Sequence, residues 1–183
     1  MRRSGWGRTG ENFWGIQAHD ITPDMLTFAK GIGNGLAIGG LVARAEIMNC
    51  LTAQSISTFG GNPLATVGAL ANLTYLLEND LQTKALKVGN LLMAGIRDIG
   101  DRSPFIAEVR GKGLMIGVEL VKDKKSKRPA VNEQAAILCY ASEKGLLLLP
   151  CGTSTIRFSP PLTLTKDQAE KGLDIFEDAI RML

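Results

Sequence analysis

The sequence predicts a mixed α/β fold, in which the end of an α/β sheet precedes a compact α+β unit. The first part is indicated by two strand-sized apolar stretches, 24–29 and 38–43, on either side of a glycine-rich loop. The second part is indicated by two long helical patterns of apolar residues, followed by residues that alternate in hydrophobicity with a period of two. With 183 residues, the chain can form one domain or one and a half small ones.

Two buried strands are predicted in the first 60 residues. Asp24 begins the first of them, which stops at Lys30, and residues 38–43 form the second. A short helix is predicted near 45–50. Ahead of these strands, glycines and both tryptophans cluster within the first 15 residues. Chain ends are usually polar and mobile, so this cluster indicates the inside of a domain or a glycine-rich loop folded under the surface.

Two consecutive helices are predicted next. A loop of hydroxyl-bearing, small and turn-forming residues, 55–63, leads to Asn62 as the helix cap and Pro63 as the first helical residue. The pattern breaks at 78–80 and resumes over 81–99, where Gly100 is expected to stop the second helix.

The remaining pattern predicts an α+β unit. Alternating apolar residues over 105–110 and 114–121 predict an antiparallel hairpin that turns at Gly111–Lys112–Gly113 and buries one face. The further predicted elements are a helix over 132–144, strands over 146–149 and 155–158, and a helix over 166–183 that Thr165 caps.

Composition narrows the class of protein. Apolar residues make up 45% of the chain and aromatic residues 5%, so the predicted core is aliphatic. The net charge is +3 and the one basic cluster, 122–128, is interpreted as a solvated loop, which gives little support to nucleic-acid binding. No signal peptide and no apolar run long enough to span a membrane is predicted.

Cysteine and histidine usage indicates a cytoplasmic protein without a metal site. Cys50, Cys139 and Cys151 stand far apart without metal-ligand spacing, which favours reduced thiols. His19 is the single histidine and is interpreted as a loop or partly buried side chain.

Lys30 is the main candidate for chemistry. It ends an apolar segment and precedes Gly31-Ile32-Gly33-Asn34-Gly35. An amine partly buried beside a low-dielectric wall has a lowered pKa and is nucleophilic, as Schiff-base chemistry requires. Two alternatives stay open: a solvated surface lysine, and a dinucleotide-binding loop, for which the third glycine and a surrounding βαβ unit are missing.

Arg157 is the second candidate. It lies among apolar neighbours at the end of a predicted strand, just before Pro160-Pro161. A guanidinium there needs a partner, and a carboxylate suits it because the two groups pair in a bidentate way. The alternative is a structural ion pair with an acidic residue of the chain itself.

The motifs together resemble those of class III aminotransferases, enzymes that use pyridoxal 5'-phosphate (PLP). The order and spacing of the motifs match over nearly the whole chain, and closer relatives look like 4-aminobutyrate, alanine–glyoxylate and acetylornithine transaminases. The motifs that carry the resemblance are Gly5-Trp6-Gly7-Arg8-Thr9-Gly10, Phe13-Trp14-Gly15, Pro23-Asp24, Ala29-Lys30-Gly31, Thr58-Phe59-Gly60-Gly61-Asn62-Pro63, Arg110-Gly111-Lys112-Gly113-Leu114 and Arg157-Phe158-Ser159-Pro160-Pro161.

The resemblance implies a fold, a reaction and roles. It implies the end of a fold type I PLP-binding large domain over 1–61, a linking helix over 62–80 and a small α+β domain over 81–183. Lys30 matches the lysine that forms a Schiff base with PLP and moves the substrate proton. Thr58 matches a threonine that binds the PLP phosphate across a homodimer. Arg157 matches the arginine that binds the substrate carboxylate.

The implied reaction moves an amino group from an amino acid, with ω-amino acids such as 4-aminobutyrate among the candidates, to a 2-oxo acid. The chain resembles only the C-terminal two-fifths of such enzymes, and Met1–Ser4 stand where the family carries an Asp-Glu pair whose aspartate binds the pyridine nitrogen. The alternative is therefore a truncated, inactive chain that serves as a structural or interaction module.

Overall fold

A computed structural model describes residues 5–54 and 56–183. Two parts of the sequence analysis lie outside these residues. They are Met1–Ser4, which stand where the family carries an Asp-Glu pair, and Ser55 of the predicted loop. No helix in the described part of the chain is long and apolar enough to cross a membrane. The elements are β1 (Met25–Ala29), β2 (Gly39–Ala43), α1 (Ala45–Met48), α2 (Pro63–Glu78), α3 (Leu81–Arg102), β3 (Ile106–Lys112), β4 (Met115–Leu120), α4 (Val131–Glu143), β5 (Leu149–Cys151), β6 (Thr155–Phe158) and α5 (Lys166–Arg181).

Strands β1 and β2 form an antiparallel pair whose register runs from Met25–Ala43 to Ala29–Gly39. The prediction of two strands at these positions is confirmed, but the prediction that they are buried is wrong for the described residues. Met25 is 50% exposed and Val42 is 60% exposed. The reason is that, among the residues that the structure describes, the two strands have only each other as sheet neighbours.

The C-terminal unit is a four-stranded antiparallel sheet in the order β3-β4-β6-β5, covered on one face by α3, α4 and α5. The predicted hairpin with one buried face is confirmed, because Ile116, Val118 and Leu120 alternate into the core while Gly117 and Glu119 face outward. Phe176 of α5 and Ile156 of β6 are fully buried in the same core. The core is mainly aliphatic, as the composition predicts.

The predicted helix caps are confirmed. The Asn62 side chain accepts a hydrogen bond from the Ala65 amide (3.1 Å), with Pro63 as the first helical residue. Thr165 and Gln168 form a capping box at the start of α5.

Several predicted boundaries are wrong, and three of them are informative. Helix α3 continues through Gly100 to Arg102, and β3 continues to Lys112, so the hairpin turns at Gly113–Leu114. Strand β5, at one edge of the sheet, begins at Leu149 rather than at residue 146. The Leu146 amide donates to the Ala141 carbonyl (2.8 Å) and the Gly145 amide to the Ser142 carbonyl (3.0 Å), which is the Schellman pattern that ends α4.

The glycine-rich N-terminal segment packs against this C-terminal unit. The Leu114 amide donates to the Arg8 carbonyl (2.9 Å). The preceding residue in the turn between β3 and β4, Gly113, has φ +52°. A Cβ at Gly113 would lie 2.5 Å from the Arg8 carbonyl oxygen, so this approach requires a glycine. Two of the motifs noted in the sequence therefore contact each other directly.

The C-terminal ends of α3 and α5 are connected by ion pairs. The Glu177 carboxylate accepts hydrogen bonds from Arg102 and, at 2.6 Å, from Arg181, and Arg102 also pairs with Asp98 at 2.7 Å. The hydrogen bond from Arg102, with smaller charge effects from both arginines, lowers the pKa of Glu177 below its usual range. Because the folded-state pKa is the lower one, the contribution to stability is present at neutral pH and lost as pH falls through that value.

Replacing Glu177 with glutamine is therefore expected to lower the melting temperature at pH 7 and to have progressively less effect below about pH 4.5. Thermal melts of both proteins between pH 3 and 7 measure this difference. Glu170→Gln is the control, because Glu170 on the same helix makes a single exposed ion pair with the residues that the structure describes, with Lys166 at 3.4 Å. A melting-temperature difference that stays constant across the pH range would contradict the assignment.

Candidate functional site

Lys30 follows the last residue of β1 and begins a 3₁₀ turn, Lys30–Ile32. Its backbone is left-handed, with φ +60°, a conformation that non-glycine residues adopt at an energetic cost and that is common at functional sites. The position at the strand end is as predicted. The prediction of partial burial is wrong for the described residues, because Lys30 is exposed at the mouth of an open cleft.

The cleft beside Lys30 has a volume of about 590 Å³, within the range of small-molecule sites. The Lys30 Nζ has no hydrogen bond or ion pair with any residue that the structure describes, so the amine is available to a ligand. The described lining contains two cations, Arg8 and Lys30, and no carboxylate. Such a lining suits an anionic ligand. The other lining residues include Trp6, Asn34, Asn72, Tyr75, Met115, Ser159, Pro161 and Thr163.

Strand β1 is supported by an aromatic cluster made of Trp6, Phe13, Trp14 and Phe28. The Phe28 ring packs edge-on against Trp6 with centroids 5.6 Å apart, and Trp14 packs against Trp6 at 5.1 Å. The sequence-based expectation that these N-terminal residues belong inside a domain agrees with this packing. Since Phe28 lies two residues before Lys30, the cluster helps to fix the end of the strand.

Arg8 forms one wall of the cleft and anchors two loops. Its guanidinium donates to the carbonyls of Pro160 (2.6 Å) and Leu114 (3.3 Å). Burial lowers the pKa of Arg8, although an arginine remains charged at any physiological pH. Arg8 therefore connects the N-terminal motif with the segment that follows Arg157.

Arg157 lies on the open face of the four-stranded sheet. In the strand register, Arg157 lies opposite Gly117, and Gly117 lies opposite Arg110 on its other side. Arg110 is neutralised by Glu119 and by Glu108 (2.8 Å), whereas Arg157 has no ion pair with any described residue. The alternative interpretation of Arg157 as a structural ion pair is therefore wrong for the part of the chain that the structure describes.

Lys30 and Arg157 line two different cavities that adjoin. Arg157 lines a smaller, mainly apolar cavity of about 290 Å³, which contains Leu147, Leu164 and Gln168. The two cavities share Ser159 and Pro161. The structure thus brings the two candidate side chains to neighbouring walls, but not into a single pocket.

Thr58 lies apart from both cavities. It is exposed in the turn that precedes α2, where the Gly60 amide donates to the Ser57 carbonyl (3.1 Å). Neither cavity includes it among its lining residues. A threonine that serves the neighbouring subunit, as the resemblance implies, would lie in such an outward position.

Sequence reasoning assigned no role to two polar residues of the larger cleft. Arg8 was noted as part of a motif, but its buried contacts depend on loops more than 100 residues away. Asn72 gave one usable signal, because it interrupts the mainly apolar sequence Ala71-Asn72-Leu73 in the middle of a helix. Its amide contacts the loop after Lys30.

The fold places the chain in a class, the PLP-dependent transferases, because the solved structures that it resembles include transaminases, one of them in the PLP-bound form. A phospholyase from Arthrobacter, solved with phosphoethanolamine, superposes with a TM-score of 0.96 at 31% identity, over 99% of this chain and 44% of its own. The sequence model of the class-III aminotransferases matches residues 3–180. The chain belongs to the class-III aminotransferase family, whose members use PLP.

Two curated relatives of this chain have names that describe different reactions, an amino transfer and a racemisation. An Arabidopsis thaliana protein, mitochondrial alanine–glyoxylate aminotransferase 2 homolog 2, is 43% identical over 92% of this chain and 36% of its own length. An alanine/serine racemase of Pyrococcus horikoshii is 40% identical over 98% of this chain and 38% of its own. The chain therefore spans less than half the length of the relatives it matches.

Proposed function

We propose that this chain carries the lysine-bearing part of a PLP-dependent aminotransferase, which moves an amino group from an amino acid to a 2-oxo acid. The observation that carries the proposal is Lys30 itself. Its amine is exposed and has no partner among the described residues, and it lies in a left-handed turn at a strand end, beside a cleft with a cationic lining. ω-Amino acids such as 4-aminobutyrate are among the proposed donors.

The residues present fit PLP at two points. Lys30 offers a primary amine that can bond to an aldehyde carbon, and the cationic lining of the cleft favours a phosphorylated ligand. When bound, PLP supplies an electron sink for the carbon that carries the amino group. The Lys30 amine would hold the cofactor, be released by the substrate amine, and then accept and return the proton at the substrate carbon.

Two further residues would bind the charged ends of the ligands. The Thr58 hydroxyl would donate to a phosphate oxygen, from the neighbouring subunit of a homodimer. The Arg157 guanidinium, which has no carboxylate partner among the described residues, would bind the substrate carboxylate in a bidentate way. The three exposed free cysteines, Cys50, Cys139 and Cys151, agree with a reducing compartment such as the cytoplasm.

Adding PLP to the purified chain, reducing with borohydride and mapping the modified peptides tests the proposal. We expect a new absorbance band and a single dominant label on Lys30. Exposed lysines such as Lys87 on α3 serve as internal controls, because they lie outside the cleft. Scattered labelling of exposed lysines at the level of Lys30 would contradict the proposal.

One observation favours a second candidate, a structural or interaction module without catalytic activity. No carboxylate lines the described part of the cleft, so nothing there can pair with the pyridine nitrogen of PLP and keep it protonated. A chain that labels Lys30 but does not transfer amino groups between 4-aminobutyrate or alanine and 2-oxoglutarate would support this candidate. Measurable transfer by the chain alone would exclude it.

A further inference from the structure

One side chain ties the turn that carries Lys30 to the long helix α2. The Asn72 Nδ2 donates to the carbonyl oxygens of Gly31 (2.8 Å) and Ile32 (3.1 Å). Both partners are acceptors, so the side-chain NH₂ must be the group that faces them. Asn72 is half-buried and also lines the cleft beside Lys30.

The turn that Asn72 contacts is an unusual one. Ala29 is fully extended, with φ −165°, and the next residue, Lys30, turns to φ +60°. Within the turn, the amides of Gly33 (3.0 Å) and Asn34 (3.2 Å) donate to the Lys30 carbonyl. A left-handed lysine persists only where surrounding contacts offset its conformational cost. The carbonyls of Gly31 and Ile32 receive such a contact from Asn72.

A second contact on the same face of α2 secures the other end of the loop. Gly68 lies one helical turn before Asn72, so the two residues share a face. The Leu36 side chain packs over Gly68 so closely that a Cβ there would lie 2.3 Å from the Leu36 Cδ1. Helix α2 therefore contacts the loop after Lys30 at two places. Asn72 contacts the first residues of the loop, and Gly68 contacts Leu36 near the end of the loop.

We propose that Asn72 is a positioning residue for Lys30, which holds the left-handed turn so that the amine projects into the cleft. The role for Lys30 rests on the proposed function, whereas the hold on the turn does not require it. A change of φ at Lys30 would redirect its Cα–Cβ bond and with it the whole side chain. Asn72 therefore acts through the backbone and makes no bond to the reacting atoms.

The test compares Asn72→Leu, which removes the donor at similar size, and Asn72→Asp, which keeps the shape but places a carboxylate against two carbonyls. Asn72→Gln retains the donor group on a longer stem. Asn79→Leu is the matched control, because Asn79 lies at the end of the same helix and its Nδ2 donates to the Tyr75 carbonyl (2.9 Å) instead of to the turn after Lys30.

The first readout is amide hydrogen exchange in the full chain without PLP. In Asn72→Leu and Asn72→Asp, we expect the amides of Gly33 and Asn34 to exchange about tenfold faster, the factor that corresponds to the loss of one net hydrogen bond. Exchange in β3 and β4 should stay unchanged, which shows that the variants are folded. Unchanged exchange at Gly33 and Asn34 would overturn the proposal.

The second readout is the borohydride-trapped PLP label at Lys30, measured against the label at Lys87. We expect a several-fold lower ratio in Asn72→Leu and Asn72→Asp, partial recovery in Asn72→Gln, and the wild-type ratio in Asn79→Leu. A looser turn with an unchanged ratio would overturn the positioning role. Absence of a Lys30 label in the wild type would instead overturn the proposed function, and the exchange experiment would then decide alone whether Asn72 holds the turn.

Discussion

Replacing Lys30 with alanine is expected to abolish the dominant attachment of PLP to this chain and to lower any amino transfer on the order of 10⁴-fold or more. The reason is that the amine has two tasks, to hold the cofactor and to carry the proton, and no other lysine lines the cleft among the described residues. Absorbance spectra with PLP, borohydride trapping and an amino-transfer assay measure the loss.

Two controls separate chemistry from folding. Lys30→Arg keeps the positive charge but provides a guanidinium that stays protonated and cannot replace the amine, so the same loss is expected. Lys112→Ala removes an exposed lysine that pairs with Glu11 at 2.8 Å and should behave like the wild type. Since Lys30 is exposed, its replacement should change the free energy of unfolding by no more than about 0.5 kcal/mol. A PLP band that persists in Lys30→Ala would disprove its assigned role.

Replacing Phe176 with alanine is expected to give the largest loss of stability, about 3–5 kcal/mol. Phe176 is fully buried under the sheet, and its ring packs edge-on against Phe158 with centroids 5.1 Å apart. Truncation removes buried apolar surface and leaves a cavity that a close-packed core fills only in part. Urea unfolding monitored by circular dichroism measures the change in the free energy of unfolding.

Phe59→Ala is the matched control for this prediction. Phe59 is 78% exposed in the loop before α2, so its removal should change the free energy of unfolding by less than about 0.5 kcal/mol. Phe176→Leu should give a smaller loss than Phe176→Ala, because it leaves a smaller cavity. Similar losses for Phe59→Ala and Phe176→Ala would contradict the position of the core.

Local signals in the sequence predicted most elements of the fold. Asn62 with Pro63, and Thr165 with Gln168, specify helix starts through bonds that reach only three residues along the chain. The predictions failed where distant contacts decide. Gly100 stays helical because it packs under Ile106 of the neighbouring strand, where a Cβ would lie 3.0 Å from the Ile106 Cγ2.

The apolar run 146–149 shows a second kind of failure. Its hydrophobicity predicts a strand, but the Leu146 amide is already used to end α4. Leu146 and Leu148 still pack against the core, while Leu147 is 82% exposed, so the alternation is present without the sheet hydrogen bonds. Apolar periodicity predicts which side chains are buried, but it does not predict which amides remain free for a sheet.

The candidate site could be predicted only in part. Lys30 and Arg157 were identified because each is a charged residue at the end of an apolar strand, a local pattern. The contacts of Arg8 and of Asn72 with backbone carbonyls link residues 40 to 152 positions apart, and no pattern in the sequence indicates which carbonyls these side chains contact. The exposure of Lys30 was also missed, since it depends on what lies beside β1.

The contact between Arg8 and Gly113 has a consequence for recombination between related enzymes. If residues 81–183 form a small domain, as the family resemblance implies, two residues of that domain contact the N-terminal segment. The Leu114 amide donates to the Arg8 carbonyl, and the Gln82 side chain packs against Gly7. A chimera with one crossover near residue 62 would join two parents at this contact. A chimera with a second crossover near residue 15, which transfers residues 5–15 together with residues 62–183, would inherit both sides of the contact from one parent.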